Sequence, residues 1–334
     1  METRVKPYNK ESIAEGAEII RRGGVVAFRT ETVYGLGANA YDAAAVRQIF
    51  RAKGRPSDNP LIVHLPSVGG IETVAREVPD YAGILIDRFM PGPLSLVLKK
   101  RPLIPDAVTA GLDTVAVRVP ADAAAREFIA AAGVPVAAPS ANLSGRPSPT
   151  AAAHVLADMN GKIPLILGEE LAVVGLESTV LDCTVYPPQI LREGGITREQ
   201  IEAALGITLS GAEKNSDKPR APGMKYKHYA PNIPLYYAAN GRETALIDKL
   251  EEIGADGGAA VIVLTRAAAE LFCELDCDVL IAGEGLKESA RNLYSVLRSA
   301  EKIFENLLVL GAPDDGIGRA INNRLEKACG GNLL

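Results

Sequence analysis

The chain has no tryptophan, three histidines and four cysteines among 334 residues. Cys183, Cys273, Cys277 and Cys329 are too few and too scattered for a disulfide framework, so reduced thiols and a cytoplasmic home are expected. His64, His154 and His228 show no H-x-x-x-H spacing, and Cys273-x-x-x-Cys277 lacks partner ligands, so no protein-built metal site is expected. The absence of G-x-x-x-x-G-K-[ST] excludes a P-loop, and the absence of G-x-S-x-G excludes a nucleophile elbow. Apolar runs such as Leu61-Ile62-Val63 fall far short of the ~20 residues that a membrane span needs. Residues 1–10 hold no apolar stretch of a secretory signal. Positive charge is also scarce: 36 Lys and Arg face 41 Asp and Glu, a net charge of −5. A protein that grips a long nucleic acid usually shows a broad basic face. Only local basic pockets are available here, which favours a small anionic ligand.

With 47% hydrophobic and 23% charged residues, the composition is that of a folded globular protein, and the length suggests two domains. Composition shifts once, around Ser210–Pro231, where the chain turns polar, basic and rich in Pro and Gly. This reads as an interdomain linker. Its aromatics and His228 argue for a docked segment, expected to close over the mouth of the first domain. The expected organisation is therefore a first domain over 1–210, a linker or lid over 211–231 and a second α/β domain over 232–334.

Within the first domain, Ser12–Arg22 and Ala43–Ala52 have helical spacing, and Thr197 with Gln200 fits a capping box. Val25–Phe28, Leu61–Leu65, Leu94–Leu98, Val115–Val119, Pro135–Ala138, Ile163–Leu167 and Ser178–Asp182 read as strands. Many strands with few helices predict a mixed, twisted α/β sheet. In the second domain, strands over Ala259–Leu264, Asp278–Ala282 and Leu307–Gly311, with a helical pattern over Lys287–Asn306, predict a small doubly wound, Rossmann-like module.

Three motifs could carry chemistry. Gly35-Leu-Gly-Ala-Asn-Ala40 matches a dinucleotide fingerprint formally, but the polar Thr30-Glu31-Thr32 stands where a strand should lead into it. Lys53-Gly-Arg55-Pro56 puts two cations on a turn, which suits phosphate; a solvated loop explains the spacing equally well. Ala138-Pro-Ser-Ala-Asn-Leu-Ser-Gly-Arg-Pro-Ser148 offers hydroxyls and amides at a strand end, either an anion site or an ordinary turn-rich connection.

Taken in order, Thr30–Ala40, Lys53–Pro56, Asn59–His64, Pro91–Leu98, Thr114–Arg118, Pro139–Asn142, Glu177–Val180 and Ile190–Arg192 resemble the YrdC/Sua5 family of threonylcarbamoyl-AMP synthases. Pro222–Pro231 and the second domain resemble its longer, Sua5-type branch. Arg29 stands where many relatives have proline. The resemblance implies a YrdC-type sheet with a concave cleft. It also implies synthesis of L-threonylcarbamoyl-AMP and pyrophosphate from L-threonine, bicarbonate and ATP. That product feeds N6-threonylcarbamoyladenosine formation at tRNA position 37 through a separate transferase. Carried over by position, Lys53, Arg55 and Arg192 clamp the triphosphate, with Mg2+ on the phosphates. Asn59, Thr114, Ser140, Asn142, Ser148 and Tyr229 line the ATP. Thr32, His64, Arg118, Ala138 and Ser178 frame the threonine. No general base is evident beyond His64, so catalysis is expected to rest on positioning and electrostatics. Two other readings stand beside this one: an RNA-binding module, against which the charge argues, and a carbamoyl-transfer enzyme sharing the YrdC-type domain, for which no zinc-finger cysteines are present.

Overall fold

The computed structural model describes residues 2–209, 228–254 and 258–334. By contact they divide into two units. The first comprises residues 2–144, 149–173 and 177–209; the second comprises 145–148, 174–176 and the described residues from 228 onward. The short segments 145–148 and 174–176 thus join the second unit although the chain reaches them long before residue 210. Residues 210–227, most of the expected lid, lie outside the described residues.

The first unit is built on β1 (Arg4–Lys6), β2 (Val26–Phe28), β3 (Gly35–Asn39), β4 (Ile62–His64), β5 (Ala75–Glu77), β6 (Leu94–Lys100), β7 (Thr114–Arg118), β8 (Val136–Ala138), β9 (Leu165–Leu167), β10 (Thr179–Asp182) and β11 (Gln189–Arg192). They form one mixed sheet in the order β1-β9-β2-β3-β8-β4-β7-β6-β10-β11, with β5 beside β6. The mixed α/β expectation holds. Its "few helices" clause does not, because Asp80–Phe89, Ala123–Ala132 and Ala152–Met159 are also helical. Alanine-rich stretches have a weak apolar period, yet Asp122 caps the Ala125 N–H and starts the second of these helices. Helices Lys10–Arg21 and Ala123–Ala132 contribute Ile13, Ala17, Ile20, Phe128 and Ile129 to one core against Val26, Phe28, Val136 and Leu165. A larger core runs through Leu61, Val63, Leu96, Val117 and Leu181.

The second unit holds β12 (Leu235–Ala238), β13 (Ala259–Val263), β14 (Asp278–Ile281) and β15 (Asn306–Leu310), all parallel, in the order β12-β15-β13-β14. This is the expected small α/β module, with β12 as an additional strand. The helix expected over Lys287–Asn306 spans Leu286–Ala300 instead. The chain turns there because the Phe304 N–H bonds Ala300 O and the Glu305 N–H bonds Gly258 O, which delivers Asn306 to the sheet. Among the described residues no helix is long and apolar enough to cross a membrane.

Candidate active site

Strand register assembles a polar row across the first sheet. Val180 pairs with Ser95, Leu96 with Val117, Arg118 with His64, and His64 with Val136. Directly opposed residues share a face, and along a strand every second residue does. Ser95, Arg118, His64 and Val136 therefore stand on one face, with Thr114, Ala116 and Ala138 in step. The alternation in Thr114-Val-Ala-Val-Arg118 sends Val115 and Val117 into the large core on the other face. Ile62, Val97, Ala116, Val180 and Leu191 form a separate apolar cluster beside the row on the same face. From Thr114 to Arg118 the strand spans about 13 Å.

The loop after β2 closes one end. Thr30 donates to Val33 O at 2.7 Å, and the Thr30 and Thr32 hydroxyls lie 2.9 Å apart, so Thr30, Glu31 and Thr32 are all buried. The departure at Arg29 leaves this loop intact, because its guanidinium is held by Asp122 at 2.9 Å and by Glu170. Glu31 reaches Arg118, with carboxylate and guanidinium 2.7 Å apart. Both Glu31 oxygens and Arg118 Nη2 nonetheless make no well-aligned hydrogen bond. Burial would raise the Glu31 carboxyl, but the Arg118 charge and the Ala121 N–H together hold it below its usual value. The Arg118 Nε donates to Gly92 O at 3.3 Å. His64 is pushed down to about 3, first by burial and then by Arg118. It is thus a neutral imidazole at physiological pH, with Nδ1 3.1 Å from Ile62 O, and too weak a base to collect a proton there.

The other end of the row is a turn around Ser178. Its hydroxyl lies 2.8 Å from that of Ser95. Arg192, expected as a triphosphate cation, directs Nη2 and Nε to Ser178 O at 2.8 and 3.1 Å and so also braces this turn. Gly194 fits beneath it: a Cβ there would lie 2.5 Å from Glu177 O and from Ser178 C, and closer to Thr179 N.

The nucleotide side is built by two loops laced together. The helix Ala43–Lys53 ends at Gly54 in the left-handed conformation, φ 60°. Lys53 is buried, and its ammonium donates to the carbonyls of Ser140 and Asn142, the first at 2.6 Å. The Ser144 N–H returns a bond to Lys53 O, and Ser140 donates to Asn142 Oδ1. Lys53 therefore ties the Ser140–Asn142 loop to the end of its helix. Arg55 lies on the same turn, with Nη2 3.4 Å from the carbonyls of Asn59 and Pro60. The Asn59 side chain is fully buried, and neither its Oδ1 nor its Nδ2 has a hydrogen-bond partner among the described residues. A buried amide is rarely left so; it points to a ligand. Ser148 and Tyr229 belong to the second unit. Tyr229, at φ 65°, stacks on Tyr294 with ring centres 5.5 Å apart. Among the described residues no cluster of three or more His, Cys, Asp or Glu could hold a metal.

The dinucleotide fingerprint has a packing explanation. Gly35 and Gly37 are strand residues, and a Cβ on Gly37 would press on Val136 at 2.6 Å and on Phe28 at 2.9 Å. Glu31, Ser95 and Gly194 are the site residues that sequence reasoning left unassigned. All three lie inside or beside quoted motifs, so proximity to Thr32, to Pro91–Leu98 and to Arg192 was the available signal.

Residues 18–194 match the Sua5/YciO/YrdC model described as "Telomere recombination", and residues 196–330 match the threonylcarbamoyl-AMP synthase C-terminal domain. A threonylcarbamoyl-AMP synthase of Pyrococcus abyssi is 45% identical, covering 95% of this chain and 94% of its own. One from Bacillus subtilis is also 45% identical, covering 98% and 95%. The crystal structure of P. abyssi Sua5 complexed with L-threonine superposes with a TM-score of 0.91 at 41% identity, covering 100% of this chain and 99% of that one. Escherichia coli YciO, 23% identical with a TM-score of 0.52, shares the fold over 58% of this chain. The chain belongs to the YrdC/Sua5 family, and to its two-domain, Sua5-type branch.

Proposed function

We propose that this chain is an L-threonylcarbamoyl-AMP synthase: L-threonine, bicarbonate and ATP give L-threonylcarbamoyl-AMP, pyrophosphate and water. The observation that carries this reading is the buried row Ser178–Ser95–Arg118–His64, a polar strip flanked by apolar residues on the same face, in a fold shared with a relative crystallised with L-threonine. Such a strip suits a small zwitterion with a side-chain hydroxyl. Arg118 offers a guanidinium fork to the carboxylate. Thr32, neutral His64, Ser178 and the backbone at Ala138 face the rest of the molecule.

The neutral amine takes up carbon dioxide from bicarbonate to form a carbamate. A carbamate oxygen then attacks the α-phosphorus, and pyrophosphate leaves. Both reacting groups are anions, so the site's contribution is alignment and charge screening rather than proton transfer. Arg55 is assigned to the phosphates, and Lys53 to holding the Ser140–Asn142 loop against them. Asn59 and Thr114 are assigned to the nucleotide. Mg2+ would ride on the triphosphate oxygens and offset their charge as pyrophosphate departs.

The four cysteines are free, which suits the cytoplasm, where we place the reaction. A tRNA threonylcarbamoyl transferase would consume the product; any RNA contact by this chain would be weak, given its charge. The test is pyrophosphate release from ATP. Release that requires both L-threonine and bicarbonate is the expected result, whereas release indifferent to threonine would overturn the assignment.

A further inference from the structure

The Glu31–Arg118 pair is an unusual thing to bury. Two opposite charges sit 2.7 Å apart with little exposure, yet neither carboxylate oxygen nor the facing guanidinium nitrogen makes an aligned hydrogen bond. A buried ion pair offsets its desolvation only when its remaining hydrogen bonds are made. Here the support is thin: beside the pair itself Glu31 has the neighbouring Ala121 N–H and Arg118 a long bond from Nε to Gly92 O, in the row that the proposed function assigns to threonine.

We propose that Glu31 is the receptor for the substrate's α-ammonium group, so that threonine binds by splitting the Glu31–Arg118 pair and replacing each partner with one end of the zwitterion. This rests on the reading of the row as a threonine site and adds a residue and a selection rule to it. The chemistry matches at both ends. A carboxylate accepts the N–H donors of an ammonium, and a guanidinium donates to a carboxylate. An α-amino acid carries both charges on one short frame, so once the pair has opened its ammonium can meet Glu31 while its carboxylate meets Arg118. Glu31 is held ionised by Arg118 in the absence of ligand, and the arriving ammonium takes over that role. Its loop is held by its neighbours, since the Thr30 hydroxyl bonds Val33 O and lies beside that of Thr32. A ligand with only one of the two charges breaks the pair and leaves a protein charge uncompensated. The pair therefore selects against hydroxy acids and amino alcohols. Glu31 is a positioning and selectivity residue here: it receives the ammonium form, whose proton passes to bicarbonate as that dehydrates to carbon dioxide and water. The neutral amine then adds to carbon dioxide and releases a second proton to solvent, so Glu31 itself takes none.

Affinities of the full chain for L-threonine and for its deaminated analogue, 2,3-dihydroxybutanoate, provide the test. The wild type should prefer threonine by about tenfold to a hundredfold, the range of a charge-assisted contact. Glu31→Gln should lose most of that preference, weakening threonine while leaving the analogue unchanged or tighter, because Arg118 is released. Glu31→Asp, which keeps the charge, should retain part of it. Equal weakening of both ligands in Glu31→Gln would make Glu31 a structural prop for Arg118 and overturn the proposal. So would a wild type that binds threonine but does not discriminate. A wild type that neither binds threonine nor makes the adenylate would instead overturn the function on which the proposal rests.

Discussion

Gly194 offers a direct way to move the threonine end of the site without touching a polar group. A methyl group at this position would lie 2.5 Å from Glu177 O and Ser178 C, and its neighbours are backbone atoms rather than flexible side-chain tips. Ordinary contact begins near 3.4 Å, so the Ser178 turn must retreat by about 0.9 Å. Overpacking of this kind costs about 1–3 kcal/mol, a melting-point loss of a few degrees in a domain of this size. Catalysis should suffer more, because a misplacement near 1 Å can cost about a hundredfold. The Ser178 hydroxyl would part from Ser95, and the Arg192 bonds to Ser178 O would lengthen. Gly194→Ala should therefore lower kcat/KM for threonine by one to two orders of magnitude in a pyrophosphate-release assay, with a smaller change in the KM for ATP. Gly133→Ala is the control. It introduces a side chain at φ 70° in open space, at the end of the helix Ala123–Ala132. It should cost about 1–2 kcal/mol of backbone strain and leave kcat/KM alone. Wild-type kcat/KM in Gly194→Ala, or an equal catalytic loss in Gly133→Ala, would refute the reasoning.

Other perturbations separate binding from folding. Asn59→Ala removes a buried amide whose hydrogen bonds are unmade within the protein, so the melting temperature without ATP should hold or rise while ATP affinity falls about tenfold. A large loss of stability with normal ATP affinity would contradict the ligand-directed role. His64 has a folded-state value near 3, below its unfolded value of 6.5. Its contribution to stability is therefore full above about pH 6.5 and is lost as the pH falls toward 3, about 2 kcal/mol of it by pH 5. His64→Gln should flatten the fall of unfolding free energy between pH 6.5 and 5, and should leave the shape of the pH–kcat profile unchanged. A kcat inflection near 6.5 that disappears in His64→Gln would restore His64 as a base. Lys53→Met frees the Ser140 and Asn142 carbonyls from their shared cation. Its KM for ATP should rise at least tenfold, with threonine affinity nearly constant; parallel losses for both substrates would show that Lys53 supports the whole fold instead.

The strands that carry the row were legible because they are short runs of aliphatic residues. Ile62–His64, Leu94–Lys100, Thr114–Arg118 and Val136–Ala138 fall within a residue or two of where periodicity puts them. Gly35–Asn39 was not, since a strand containing Gly-Leu-Gly has little intrinsic preference for extension. It becomes one because Phe28 and Val136 fill the space that side chains would otherwise occupy. The site residues were legible as a set through motif order, yet the duties of several were not. Nothing in Lys53-Gly-Arg55 says that the lysine turns inward to bond two carbonyls while the arginine remains on the turn. Likewise nothing in Ile190-Leu-Arg192 says that the guanidinium also bonds the turn at Ser178. Glu31 escaped because its partner is 87 residues away, and only the loop after β2 brings them together.

The most direct test of the account is to supply 13C-bicarbonate with ATP and L-threonine and to weigh the adenylate that forms. The account predicts threonylcarbamoyl-AMP with one added mass unit in its carbamoyl carbon, formed in step with pyrophosphate and abolished in Arg118→Ala. An unlabelled adenylate, or pyrophosphate without any threonine-containing product, would contradict it.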